Sequence, residues 1–260
     1  YNIDDIEVPA IPEGYWDTIP EPAKKSVTAF RNQIDLPEET ARKAILAYYA
    51  TISFLDAQIG RVLDGLEHNG LKDNTIVLFS SDHGYHMGEH GHYQKNTLFE
   101  NADRVPLIIS APGMKAKGGR SRSFVEMVDF YRTLSDLAGL TEPPSYVQGA
   151  SLAPILDDIS ETVRPNAFTQ LINGYTLRTR DFRFTQWKTN DSSDIELYDR
   201  RNDPEEMVNL AEDPEYAAKI RLLRAQLAKR IAEATEPVEG LKFIPPEPGD
   251  RGVSKVDTYF

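Results

Sequence analysis

Residues 73–84 read DNTIVLFSSDHG, and this stretch decides the fold. From Thr75 to Ser80 the chain is continuously apolar with β-branched members. Lys72-Asp73-Asn74 precedes it and Asp82-His83-Gly84 follows. So short a run between turn residues predicts a strand, and apolar side chains on both faces predict cover on both sides, as in a parallel sheet. A second run, Val105-Pro-Leu-Ile-Ile-Ser110, ends in Ala111-Pro112-Gly113 and predicts another strand. Upstream from Pro37, Ala41, Ala44, Ile45, Tyr48, Ile52, Leu55, Ile59, Val62, Leu63 and Leu66 step by three and four, one face of a long helix. Asp35 is its candidate cap and Asn69-Gly70 its stop. Between 127 and 138, Met127, Val128, Phe130, Tyr131, Leu134, Leu137 and Ala138 predict a further helix, stopped by Gly139. Helix, strand, loop, strand, helix is α/β organisation.

The character changes beyond about residue 165. Short alternating runs at 167–172, 175–179, 182–187 and 195–198 predict an antiparallel sheet of hairpins. Asp213-Pro214 then opens a helix whose face, Ile220, Leu223, Leu227 and Ile231, would cover that sheet. The chain therefore divides into an α/β part, residues 1–160, and a small α+β part with its tail, residues 161–260. The first 22 residues, with Pro9, Pro12, Pro20 and Pro22 and no apolar period, predict an extended arm over the surface. The Pro- and Gly-rich tail after Glu236 predicts another wrapping segment.

Composition narrows the function classes. With 29 basic and 41 acidic residues the formal charge is -12, so the overall field repels phosphate and argues against nucleic-acid or anionic-membrane binding. An anionic small substrate needs a local cationic pocket. There are no cysteines, hence no disulfide framework, thiolate metal site or cysteine nucleophile in these 260 residues. No run has the length of a membrane span, and the opening residues lack a signal-peptide pattern without resembling a native start.

Four of the five histidines fall within SSDHGYHMGEHGHYQK, residues 80–95. Asp82 and His83 directly follow the predicted strand, and ligands of open α/β sheets bind beyond the carboxyl ends of strands. A hard carboxylate oxygen and an imidazole nitrogen there can hold a divalent cation. Equally, Asp82 could cap the turn and His83 fill a polar gap. The segment His86-Met-Gly-Glu-His90 matches an inverted zinc-protease motif, which works on a helix. Gly84, Gly88 and Gly91 each cost a helix about 1 kcal/mol relative to alanine, so a loop is expected instead.

The order of these residues, Asp73–Gly84, then Met87-Gly-Glu-His-Gly91, Lys95 and Arg104-Val-Pro-Leu-Ile-Ile-Ser-Ala-Pro-Gly113, resembles the sulfatase family, and especially its iduronate-2-sulfatase-like branch. The likeness continues through Asp56–Arg61, Val128-Asp129, Leu137-Ala-Gly139, Gly149–Leu152, Glu196–Asp199 and Asp203–Leu210. It implies an alkaline-phosphatase-like α/β fold with a mixed main sheet, followed by a small antiparallel subdomain with a packing helix. It also implies Ca2+ held by Asp82 and His83, with Lys95 contacting a sulfate ester. The substrate implied is a sulfated carbohydrate, with Arg178, Arg180 and Trp187 as candidate sugar contacts. Glu89 and His90 would orient the loop, while His86 and His92 would face solvent or the substrate rim. The location implied is periplasmic, extracellular or lysosomal.

One departure matters more than the matches. Family members carry a C-x-P-S-R or S-x-P-S-R motif whose first residue becomes the formylglycine nucleophile, together with an aspartate pair completing the metal site. Neither form of the motif occurs here. The expectation is a C-terminal portion, inactive alone, completed by an N-terminal sulfatase portion as a second chain. A phosphatase or phosphodiesterase of the same superfamily, and a non-catalytic sulfated-sugar-binding relative, are the alternatives.

Overall fold

The computed structural model describes residues 1–29, 34, 36–187, 194–237, 243–244 and 255–256. The N-terminal segment passes through two short helices, α1 (Tyr15–Thr18) and α2 (Glu21–Val27), before the long α3 (Glu38–His68). In α2, Pro22 sits in the first turn, where a fixed φ and a missing N–H cost nothing, and Ala23 and Val27 are buried one turn apart. Helix α3 ends at Asn69 and Gly70, the glycine taking the left-handed φ of 67° that releases the chain toward β1 (Val77–Ser80). A histidine-rich loop and the single turn α4 (Glu100–Asp103) follow, and β2 (Leu107–Ser110) returns antiparallel to β1 with Leu107 opposite Ser80. Next come α5 (Asp129–Leu137) and α6 (Ala153–Asp157), joined where the Leu152 N–H donates to Thr133 Oγ1 at 2.9 Å.

Strands β3 (Asn166–Leu171), β4 (Gly174–Thr179), β5 (Phe182–Trp187) and β6 (Ile195–Asp199) form an antiparallel meander in that order. Helix α7 (Ala217–Thr235) lays Ile220, Leu223 and Leu227 on one face, against Tyr175, Leu177, Phe184 and Leu197. The alternate residues, Thr176, Arg183, Thr185, Trp187, Glu196 and Tyr198, are buried on the opposite face toward the rest of the chain. This sheet is covered on both sides, which ties it rigidly to the segments carrying the site. Strands β7 (Phe243–Ile244) and β8 (Lys255–Val256) pair antiparallel. Among the described residues no helix is long and apolar enough to cross a membrane.

Several expectations change. The strand pair β1–β2 is antiparallel, not parallel, and only half-buried, with Ile108 62% exposed. Continuous apolarity says that a strand seeks cover on both faces but says nothing of pairing direction. Helix α3 buries only Ala41 and Ile45, while Ile52, Leu55, Val62 and Leu63 from the same stripe lie exposed. In α5 the expected face is inverted. Met127, Val128, Tyr131 and Leu134 are exposed, while Asp129, Thr133 and Ser135 are buried. Asp129 can be buried because its carboxylate accepts from Glu126 N at 2.7 Å, from Ala150 N at 2.8 Å and from the Arg164 guanidinium. The N-terminal arm is not simply extended, since its helices bury Tyr15, Ile19, Ala23 and Val27. The expected cap Asp35 lies outside the described residues, as does most of the tail after Glu236; the helix begins after Pro37 with no side-chain cap.

Candidate active site

At the end of β1 the chain turns through Ser81-Asp82-His83-Gly84. The Gly84 N–H donates to Ala102 O at 2.7 Å, and a Cβ on Gly84 would lie 2.0 Å from Asn101 O, so only glycine lets the turn sit against α4. That contact aims His83. Its Nδ1 lies 2.7 Å from Gly84 O, a carbonyl that can only accept, so Nδ1 carries the proton and Nε2 keeps a lone pair. Nε2 then stands 2.6 Å from Lys95 Nζ and 3.3 Å from Asp82 Oδ2. An imidazole lone pair and a carboxylate oxygen at that separation repel unless a positive group lies beside them, and here the Lys95 ammonium supplies it. The three expected site residues are thus brought together, on a partly exposed surface.

The donor chemistry fits a divalent cation. It combines a hard oxygen with a neutral imidazole nitrogen whose other ring N–H is fixed on a backbone carbonyl, the usual orienting contact of a metal-bound histidine. The ligand number is incomplete, for among the described residues no cluster of three or more His, Asp or Glu could hold a metal.

Lys95 is presented by a tight loop. His86 N donates to Gln94 O and Gly88 N to His92 O, both at 2.9 Å, and the chain reverses through Gly88 at φ 114° and His90 at φ 56°. His86 is fully buried, with Nε2 2.7 Å from Thr97 Oγ1 and Nδ1 3.2 Å from Glu89 O, and the Thr97 N–H donates to Lys95 O at 2.9 Å. His90 stacks on Phe99 with centroids 3.8 Å apart and meets the Tyr15 hydroxyl at 2.5 Å. The His92 ring lies 5.3 Å from that of His86. Glu89 Oε2 accepts from Met87 N at 2.6 Å, tightening the same turn. His86 and His92, expected at the solvent or substrate rim, are instead fully buried. They pack in a ring cluster with His90, which stacks on Phe99 and meets Tyr15 of the N-terminal arm from 75 residues away. Burial and the adjacent His92 hold the His86 pKa down at about 3; burial holds His92 at about 4 and His90 well below its ordinary value. All three are neutral packing groups near pH 7. The zinc-motif segment is a loop, with both nitrogens of His86 committed to protein partners.

Asp82, His83 and Lys95 open into a cleft of about 3070 Å³ whose walls come from α4, β2, the loops before and after α5, and strands β3 and β4. Of the candidate sugar contacts, Arg178 and Arg180 line it and Trp187 does not. Trp187 is buried, its indole N–H donating to Glu196 Oε2 at 2.7 Å. Arg178 is engaged with Glu100 Oε2 at 3.0 Å. Behind it Arg183, 1% exposed, bonds Glu206 at 2.7 Å, Glu100 at 2.5 Å and Asp103 at 2.8 Å. This buried network, absent from the expectations, joins the antiparallel sheet to α4 and so to the Lys95 loop.

A strand that delivers an Asp-His pair to a cleft, a lysine presented beside it and a closing antiparallel sheet under one helix accompany an alkaline-phosphatase-like α/β fold. The sulfatase family model matches residues 17–140, and that of the N-sulphoglucosamine sulphohydrolase C-terminal region matches residues 88–233. The chain belongs to the sulfatase family. It is 39% identical over 184 residues to an N-acetylglucosamine-6-O-sulfatase of Bacteroides thetaiotaomicron, covering 66% of this chain and 33% of that relative. A solved complex with its substrate D-glucosamine-2-N,6-O-disulfate superposes with a TM-score of 0.71 at 34% identity, covering 78% of this chain and 44% of the other. A phosphonate monoester hydrolase from Silicibacter pomeroyi gives a TM-score of 0.80 at 25% identity, covering 94% and 54%. The chain therefore spans about a third to a half of the proteins it matches.

Proposed function

We propose that this chain is part of a sulfatase that hydrolyses the sulfate ester of a sulfated carbohydrate. The observation that carries the reading is the meeting of Lys95 Nζ, His83 Nε2 and Asp82 Oδ2 at the cleft mouth. Asp82 and His83 would hold Ca2+ as two of its ligands. A divalent cation there would offset negative charge growing on the ester oxygens. Lys95 places an ammonium where it can donate to a sulfate oxygen. Gly84 and the Gly84–Ala102 hydrogen bond keep His83 turned toward that point, and the His86–Thr97 bond fixes the backbone that presents Lys95. In this reading the formylglycine nucleophile and the remaining metal ligands come from an N-terminal sulfatase portion, present as a second chain. The sugar substrates of the 6-O-sulfatase relative and of the glucosamine disulfate complex support the substrate class.

One observation favours a second reading, hydrolysis of a phosphate or phosphonate ester, namely the close superposition on a phosphonate monoester hydrolase. Turnover of aryl sulfate, aryl phosphate and aryl phosphonate by the complete enzyme carrying this chain separates the two. Sulfate should be preferred, and Lys95→Ala should lower kcat/KM for it by about 10²-fold or more, the scale of removing one charge-stabilising donor. A preference for phosphate or phosphonate would replace the first reading with the second.

A further inference from the structure

Four arginines on the cleft wall take no part in the site described above. Arg104, Arg120, Arg122 and Arg180 line the same cleft as Lys95, and all four are exposed. Arg104 comes no nearer to an acid than 3.8 Å from Glu100, and the other three form no ion pair among the described residues. Other arginines on these walls are neutralised. Arg164 pairs with Asp129, Arg178 with Glu100, Arg183 with Glu206 and Arg230 with Glu126. In a chain of net charge -12, guanidinium groups without a close acid partner that line the same cleft create a local field opposite to that of the whole molecule.

Direct contacts tie that wall to the Lys95 loop. The Arg178 guanidinium lies over the Phe124 ring at 5.8 Å, which places the backbone beside Arg122 next to the strand end carrying Arg180. Arg178 Nε then bonds Glu100, the first residue of α4, and Arg183 Nη1 donates to Leu98 O, three residues after Lys95. Arg178 is thus held in place by Glu100, while Arg122 and Arg180 form no ion pair among the described residues and Arg104 makes only the long one to Glu100. The cleft also exceeds the roughly 300–1,000 Å³ that one small ligand fills.

We infer that Arg104, Arg122 and Arg180, with Arg120 at the edge, form a second anion subsite, holding a sulfate or carboxylate borne elsewhere on the saccharide whose ester lies at Lys95. Guanidinium forks suit both oxyanions, binding them through paired N–H donors. The inference rests on the reading of Lys95 as the ester contact and names what that reading leaves open, a substrate with more than one negative group.

Calorimetric titration of the complete enzyme carrying this chain tests it with two probes, glucosamine 6-sulfate with a single sulfate and a heparin-derived tetrasaccharide with several. The double variant Arg122→Gln/Arg180→Gln should weaken tetrasaccharide binding by about tenfold or more, the scale of losing one or two charge-assisted hydrogen bonds. It should also flatten the salt dependence of that binding and leave the monosulfate unchanged. Lys95→Gln should weaken both probes, and Lys24→Gln/Lys25→Gln, on α2 and outside the cleft lining, should alter neither. Circular dichroism checks that the exposed substitutions leave the fold intact. Unchanged tetrasaccharide affinity in the arginine variant, or an equal loss in the α2 control, overturns the subsite. If instead the arginine variant loses tetrasaccharide binding while Lys95→Gln changes neither probe, the Lys95 reading falls and the anion subsite stands.

Discussion

Gly84 shows how little room a single residue can leave. A methyl group there would meet the Asn101 carbonyl oxygen at 2.0 Å and Arg104 O at 3.0 Å, both backbone atoms that cannot swing aside. Gly84→Ala should therefore cost about 1–3 kcal/mol, typical of forced overpacking, and turn His83 away from Lys95. Gly65→Ala, inside α3 with no atom within 4 Å of the new Cβ, should instead stabilise by up to about 1 kcal/mol. Urea unfolding of the two variants reads the contrast, and equal effects would refute the crowding argument. Arg183 offers a second test. Burial raises Asp103 to about 7 even with the guanidinium present. Arg183→Met leaves Glu100, Asp103 and Glu206 facing one another and should cost about 3–5 kcal/mol. Because those carboxyls would then hold protons above their unfolded values near 4, the loss should grow as pH rises from 6 to 8. A loss independent of pH would argue that packing, not charge, is what Arg183 supplies. The meeting of Asp82, His83 and Lys95 in space was legible in the sequence because strand, turn and motif order lie within a few dozen residues. Arg183 was not, since its five partners come from the loop before α4, from α4, from β4 and from the loop after β6, and only the tertiary fold brings them together.

At the scale of elements, the histidine loop and the helices part company with their local patterns for one reason, contact with distant chain. Three buried neutral imidazoles, His86, His90 and His92, pack beneath the loop that presents Lys95, with Tyr15 above, Phe99 beside and Arg183 near enough to disfavour a positive charge on His90. Their folded pKa values lie below the unfolded value near 6.5, so the folded state refuses protons that the unfolded chain accepts. Stability is therefore complete above pH 6.5 and falls as pH drops toward 4, with His86, held at about 3, contributing a loss of ~2 kcal/mol at pH 5. Thermal unfolding at pH 7 and pH 5 should show the loss, and His92→Leu, which removes one titrating ring with no protein hydrogen bond among the described residues, should reduce it. An unchanged pH dependence in that variant would mean that acid acts elsewhere. The four-stranded meander and α7 were readable because each strand alternates and the helix repeats every three to four residues. Helix α5 was misread because periodicity reports an apolar face without saying what covers it. Its polar face is the one satisfied within the chain, through Asp129, Arg164 and Thr133.

For the molecule as a whole, the same apolar faces pose the main energetic problem. Ile52, Leu55, Val62 and Leu63 on α3, Ile108 on β2, Met127 and Val128 just before α5, and Tyr131 and Leu134 on α5 are all exposed. At about 25 cal/mol per Å² such surface strongly favours finding cover, and contiguous apolar patches of this kind mark interaction sites or aggregation hazards. The net charge of -12 opposes association but is spread over the entire chain, whereas each stripe is concentrated on one helix face. The chain alone should accordingly self-associate at micromolar concentrations. Leu55→Glu with Val62→Glu should return it toward monomer, because both side chains are about half exposed or more and support no core within the chain. Sedimentation velocity reads the association, and urea unfolding should find the double variant within about 0.5 kcal/mol per site of the parent, as for exposed positions generally. A parent that remains monomeric throughout the micromolar range would show that these stripes need no partner. A double variant that loses several kcal/mol would show instead that they already pack within the chain.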